Sequence, residues 1–161
     1  MLKQTGVPLK EQVLSKFPDV SLLTKPKVVI ECYEEIPCNP CESVCPVGAI
    51  VVGEDINKVP VYDAALCTSC TKCISVCPGQ AIMMVEMNQD KARFKIPYEF
   101  YPFPVKNEQW EGLDREGNYI ADVLIISVID TVKNDKTKVV TIEIDGKYLY
   151  DFRAIRCKNG K

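Results

Sequence analysis

The chain has 161 residues, 47% of them hydrophobic, and contains no histidine. That apolar fraction suits one packed domain with an addition, and the missing imidazole excludes His-ligated haem, Rieske ligation, His-containing zinc sites and Ser-His-Asp or Cys-His catalysis. The net charge of −2 is uneven: residues 28–87 hold eight acids and two bases, −6, which leaves +4 elsewhere, so that half is a poor nucleic-acid binder and suits either a solvated surface or docking to a basic patch.

Nine cysteines are many for this length. Their odd number and C-x2-C rhythm, with no apolar signal core in residues 1–12, point to metal binding rather than disulfides. The longest apolar stretch, Val123 to Ile129, is interrupted by Ser127 and too short to span a bilayer. A cytoplasmic, reduced setting is the expectation, with no membrane span and no nucleic-acid partner.

Residues 1–27 read as a helical leader. Leu9, Val13, Leu14 and Phe17 fall on one face of a helix that Pro8 opens and Pro18 stops. Lys27 to Cys32 reads as a strand, followed by a cysteine loop (Cys38 to Cys45), a short strand (Ala49 to Val52), a polar turn (Gly53 to Lys58), a second short strand (Val59 to Tyr62), another cysteine loop and a closing strand, Ala81 to Glu86.

The second loop is the decisive stretch. Cys67, Cys70, Cys73 and Cys77, followed by Pro78, spell C-x2-C-x2-C-x3-C-P. Bacterial ferredoxins hold cubane iron–sulfur clusters with this run, and its fourth cysteine ligates the other of two clusters. An internal repeat supplies the partner: Cys38, Cys41, Cys45 and Pro46 match Cys70, Cys73, Cys77 and Pro78 at an offset of 32 residues, and Ala49-Ile50 matches Ala81-Ile82. Crossed ligation gives one [4Fe-4S] cluster to Cys67, Cys70, Cys73 and Cys45, and the other to Cys38, Cys41, Cys77 and one further group. In register that group is Glu35, whereas the nearest free cysteine is Cys32. Cys32 is the expected ligand, because three extra residues change loop closure little. A three-cysteine cluster lacking an iron and ligation by Glu35 are the alternatives. Zinc bound by paired cysteines competes but fits the three-cysteine rhythm less well. Ile50, Ile74, Ile82, Val44 and Val76 are the expected apolar cage.

Residues 89–161 have a different texture. A hairpin of Met83 to Met87 and Ala92 to Tyr98 leads into a segment rich in proline and aromatics, Tyr98 to Pro104. Asp114 to Asn118 reads as a turn, and Ala121 to Ile129, Lys138 to Ile144 and Phe152 to Cys157 as strands. Tyr98, Phe100, Tyr101, Phe103 and Trp110 suit core or interface. Cys157 reads as a small structural hydrophobe. The predicted architecture is α+β: an N-terminal helical leader (1–27), a ferredoxin-like 2[4Fe-4S] pseudo-two-fold domain (28–88) and a C-terminal β-rich extension (89–161) forming a small β-barrel or β-sheet.

Residues 28–87 resemble the two-cluster bacterial ferredoxins. Ile30 to Cys41, Tyr98 to Pro102 and Gly112 to Gly117 further resemble the ferredoxin-like subunits of multi-subunit FAD-dependent amino-acid dehydrogenases of the proline, hydroxyproline or sarcosine type. That resemblance implies an electron-transfer subunit without catalytic residues of its own, which relays single electrons between a flavin on a partner oxidoreductase subunit and another acceptor. A free ferredoxin shuttle and an interaction subunit whose clusters only stabilise the fold are the alternatives.

Overall fold

The computed structural model describes residues 2–158. It is mostly sheet with a few short helices. Two helices of the leader, α1 (Leu2–Thr5) and α2 (Lys10–Leu14), precede β1 (Lys27–Ile30). The first cysteine loop contains α3 (Pro40–Val44), and the short strands β2 (Ile50–Val51) and β3 (Val61–Tyr62) pair with each other. The second loop contains α4 (Lys72–Val76), and then come β4 (Ile82–Asn88), β5 (Lys91–Tyr98), β6 (Gln109–Leu113), β7 (Tyr119–Ile129), β8 (Lys138–Asp145) and β9 (Ala154–Arg156). Seven strands form one antiparallel sheet in the order β1-β4-β5-β8-β7-β6-β9.

The sheet crosses residue 88 without a break, because β4 pairs on one side with β1 and on the other with β5. Its two faces bury different cores. Val29, Met83, Val85, Phe94, Ile142 and Ile144 face one core, together with Val13, Phe17 and Leu23 of the leader. Val28, Ile30, Ile82, Met84 and Val139 face the other, together with Cys41, Cys73, Ile50 and Ile74. Strands covered on both faces read as unbroken apolar runs, which is what Val28-Val29-Ile30 and Ile82-Met83-Met84-Val85 are. The cysteine loops therefore lie on one face of the sheet, and the leader helps to cover the opposite face.

Several elements differ from the sequence expectation. The helix over the leader's apolar face is only five residues long, so Val13 and Phe17 are buried while Leu9 and Leu14 stay exposed. The β2 and β3 strands contract to two residues each: β2 stops before Gly53, at φ +90°, and β3 starts after Pro60, which has no N–H to donate. Strand β6 is an addition to the reading. It depends on Gly112, where a Cβ would lie 2.8 Å from Val123 Cγ1 and 3.0 Å from the Ala121 carbonyl oxygen. The last strand begins only at Ala154, because Phe152 turns fully inward against Phe94, with ring centroids 4.7 Å apart. Tyr98 and Trp110 are core residues, whereas Phe100, Tyr101 and Phe103 are exposed. Cys157 is half-buried against the leader-side core.

Candidate metal centre

The two cysteine loops enter their helices differently, through Asn39 at φ −141° and Thr71 at φ +66°, but repeat each other from there on. Each enters a five-residue helix whose second residue is a buried cysteine, Cys41 in α3 and Cys73 in α4. Each helix ends on a cysteine in extended conformation, Cys45 at φ −71°, ψ 111° and Cys77 at φ −72°, ψ 110°. Three residues on, the chain passes through the left-handed region, at Gly48 (φ +63°) and Gln80 (φ +50°). That bend returns the following N–H to the cysteine: Ala49 N–H donates to Cys45 Sγ at 3.2 Å and Ala81 N–H to Cys77 Sγ at 3.3 Å. Pro46 and Pro78 follow directly and bring no N–H of their own.

Eight of the nine cysteines line two cavities. Cys45, Cys67, Cys70 and Cys73 line one, with Val28, Ile50, Tyr62 and Met84. Cys32, Cys38, Cys41 and Cys77 line the other, with Ile30, Ile36 and Ile82. Of the expected cage, Ile50, Ile74 and Ile82 are fully buried and Val44 packs against them, whereas Val76 is only half-buried and lies outside this core. Val28, Met84 and Val139 take part instead. They come from sheet strands distant in sequence, which is why the loop sequence alone did not point to them.

Glu35 is placed elsewhere. It pairs with Lys58 at 2.9 Å on the surface, both side chains being more than half exposed. Cys32 lines the cavity with Cys38 and Cys77, and a larger open cavity of about 1040 Å³ beside them is bounded by Gly6, Tyr33, Glu34 and Gly79. The Tyr33 hydroxyl is buried there without a hydrogen-bond partner among the described residues; burial, with Glu31 assisting, pushes its pKa up to about 12.

The environments of the thiols differ. Burial opposes ionisation of Cys45, yet the backbone N–H groups of Val47, Ala49, Ile50 and Gly48 outweigh it and hold the thiol below its ordinary value. Burial, reinforced by Cys70 and Cys67, pushes Cys73 up to about 12. Cys32 and Cys41 are raised by burial and, to a lesser degree, by neighbours that include Cys77 and Cys38. Ser69 N–H donates to Cys67 Sγ at 3.4 Å. The Tyr62 hydroxyl accepts from Val28 N–H at 3.5 Å; burial first, and then Cys67, raises its pKa.

These residues fit cubane clusters. The donors are soft thiolates, the cavity walls are largely apolar and backbone N–H groups point at sulfur. Among the described residues no three metal-ligating side chains converge on a single ion; a cubane distributes its four cysteines over four irons.

A buried ion cluster beside Cys32 was not anticipated. Glu31 pairs with Arg115, whose Nη1 also donates to the Tyr150 carbonyl at 2.7 Å, and with Arg153, whose Nε lies 3.4 Å away. Glu31 and Arg115 sit in two of the stretches that carry the dehydrogenase-subunit resemblance, but nothing in either stretch alone marks them as partners.

Residues 36–81 match the 4Fe-4S dicluster domain. The chain carries a ferredoxin-like iron–sulfur domain. Over 50 residues it is 44% identical to one subunit of the Na(+)-translocating ferredoxin:NAD(+) oxidoreductase complex of Acetobacterium woodii. That alignment covers 31% of this chain and 14% of the relative, so the chain corresponds to a small part of that protein. No solved structure gives a significant match. Among the described residues no helix is long and apolar enough to cross a membrane. The matched domain supports an iron–sulfur electron-transfer role.

Proposed function

We propose that the chain is an electron-transfer subunit that passes single electrons through two [4Fe-4S] clusters, between a flavin on a partner dehydrogenase subunit and a second acceptor. The observation that carries this reading is the pair of cavities, each lined by four cysteines drawn from both loops. Cys32, Cys38, Cys41 and Cys77 hold one cluster in a pseudo-two-fold domain, and Cys45, Cys67, Cys70 and Cys73 hold the other. Cys32 rather than Glu35 completes the first set, since Glu35 is engaged with Lys58. Leader (1–27), cluster region (28–88) and extension (89–161) are segments of the chain with different roles in this reading, joined by one sheet that crosses residue 88.

When bound, such clusters accept and release one electron at a time with little rearrangement of their ligands. The chain's own groups supply the rest: thiolates hold the irons, Ala49, Ser69 and Ala81 N–H groups donate to sulfur, and the apolar side chains limit water. Hydrogen bonds to the sulfurs and solvent exposure are what set cluster potentials. The dehydrogenase-subunit resemblance implies that the chemistry on the substrate takes place on a FAD-dependent partner in a hetero-oligomeric cytoplasmic complex, with this chain as the relay. Support for a complex comes from two directions: the dehydrogenase-subunit resemblance, and a relative described as one subunit of an oxidoreductase complex.

Affinity purification of the tagged chain from its native host, with flavin analysis of the eluate, tests the partner. A stoichiometric flavoprotein whose bound flavin reduces the clusters when substrate is added is the expected result. A monodisperse chain that exchanges electrons freely with many acceptors would favour the shuttle instead.

A further inference from the structure

The two loops differ in residue type at the bend that follows the fourth cysteine. Where the first copy has Gly48 in the left-handed region, the second has Gln80 at φ +50°. Glycine enters that region without steric penalty, whereas a residue with a Cβ does not. Gln80 has outside help. Arg153, 73 residues later in the chain, donates from Nη2 to the Gln80 carbonyl oxygen at 2.6 Å. That oxygen belongs to the same peptide unit as the Ala81 N–H, which donates to Cys77 Sγ at 3.3 Å. One peptide group thus links a guanidinium to the sulfur of Cys77, and a cationic donor on its oxygen polarises its N–H toward sulfur.

Arg153 is itself fixed. Its backbone N–H donates to the Leu113 carbonyl at 2.8 Å, and its Nε faces Glu31 at 3.4 Å. Arg115 holds Glu31 from the other side. The Glu31 N–H in turn donates to the Ala81 carbonyl at 2.8 Å. The Gln80–Ala81 segment is therefore held on both sides, by the Arg153 guanidinium from the C-terminal extension and by the backbone N–H of Glu31.

We infer that Arg153 is a positioning residue for Cys77, through which the extension sets the reduction potential of the cluster that Cys77 serves, separately from that of its neighbour. This rests on the two-cluster reading above. Adding one electron makes that site more negative and breaks no bond, so a nearby cation and a strong N–H···S hydrogen bond both favour the reduced state. Removing the guanidinium lowers the potential of one cluster only.

The test is an EPR-monitored redox titration of the anaerobically reconstituted full chain. Arg153→Met is expected to shift one of two waves to lower potential by about a tenfold change in its one-electron equilibrium, about 59 mV, and to leave the other in place. Arg153→Lys, which keeps the cation, restores part of the shift. Gln80→Gly/Arg153→Met relieves the backbone conformation that Arg153 supports and keeps the loop intact if Arg153→Met alone loses a cluster; its single shifted wave still separates the effect of charge from that of folding. Two unmoved waves in an intact double variant, or equal shifts of both, overturn the inference. A wild-type chain without reducible clusters overturns the two-cluster reading itself.

Discussion

Replacing Arg115 by alanine tests whether the extension and the cluster domain are joined by a buried ion pair. The Arg115 side chain is 10% exposed and that of Glu31 is 4% exposed. The substitution leaves the Glu31 carboxylate buried, with Arg153 at 3.4 Å as its remaining cation, and takes the donor away from the Tyr150 carbonyl. Breaking a buried pair by removing one partner costs roughly 3–5 kcal/mol, and the surviving Arg153 contact places this case at the lower end, about 3 kcal/mol. With a urea slope of about 2 kcal/mol per M, the unfolding midpoint should fall by about 1.5 M. Trp110 is the only tryptophan and is 3% exposed in the leader-side core, so its fluorescence reports the transition. Lys58→Ala serves as the control, since it removes an ion pair whose partners are both more than half exposed and should barely move the midpoint. If Arg115→Ala behaves like Lys58→Ala, the ion cluster does not join the two regions energetically and the reasoning fails.

Three further outcomes are expected. Cys32→Ala should lower the iron content by up to about half and alter one EPR component, while Glu35→Gln leaves both unchanged; full iron retention in Cys32→Ala would remove Cys32 from the ligand set. Gly112→Ala should destabilise the chain by about 1–3 kcal/mol, because the new methyl group meets Val123 Cγ1 and the Ala121 carbonyl; thermal unfolding measures this, and an unchanged midpoint would mean that β6 and β7 can separate without penalty. Removal of iron by a chelator should speed hydrogen exchange at the Ala49 and Ala81 amides, which donate to Cys45 and Cys77, more than at Phe94 or Ile142 in β5 and β8. Uniform loss of protection would show that the two cores do not respond separately.

The cysteine rhythm was legible because its spacing is chemical and local: C-x2-C-x2-C-x3-C-P has few structural uses, and residues 36–81 match a dicluster domain. The long strands were legible too, since Ala92, Phe94 and Ile96 alternate with Lys91, Arg93 and Lys95 along β5. What escaped the reading depends on neighbours remote in sequence. Strand β6 is short and contains a glycine, and it forms where Val123 can approach that glycine closely. The pairing of β4 with β5 across residue 88 was legible as a hairpin, but the pairing of β4 with β1 on its other side, which makes the sheet continuous, shows in no local pattern. Nothing local marks Arg153 and Glu31 as partners; the fold brings them together beside Gln80. Val76 looked like Val44 by repeat symmetry, yet only Val44 joins the core that lies against the cysteines.

The most direct measurement is metal analysis combined with EPR on the anaerobically purified full chain before and after dithionite. The account predicts about eight irons and as many inorganic sulfides per chain, no stoichiometric zinc, and reduced-cluster signals broadened by a second paramagnet nearby. Zinc in place of iron, or iron that no reductant can reduce, would contradict it.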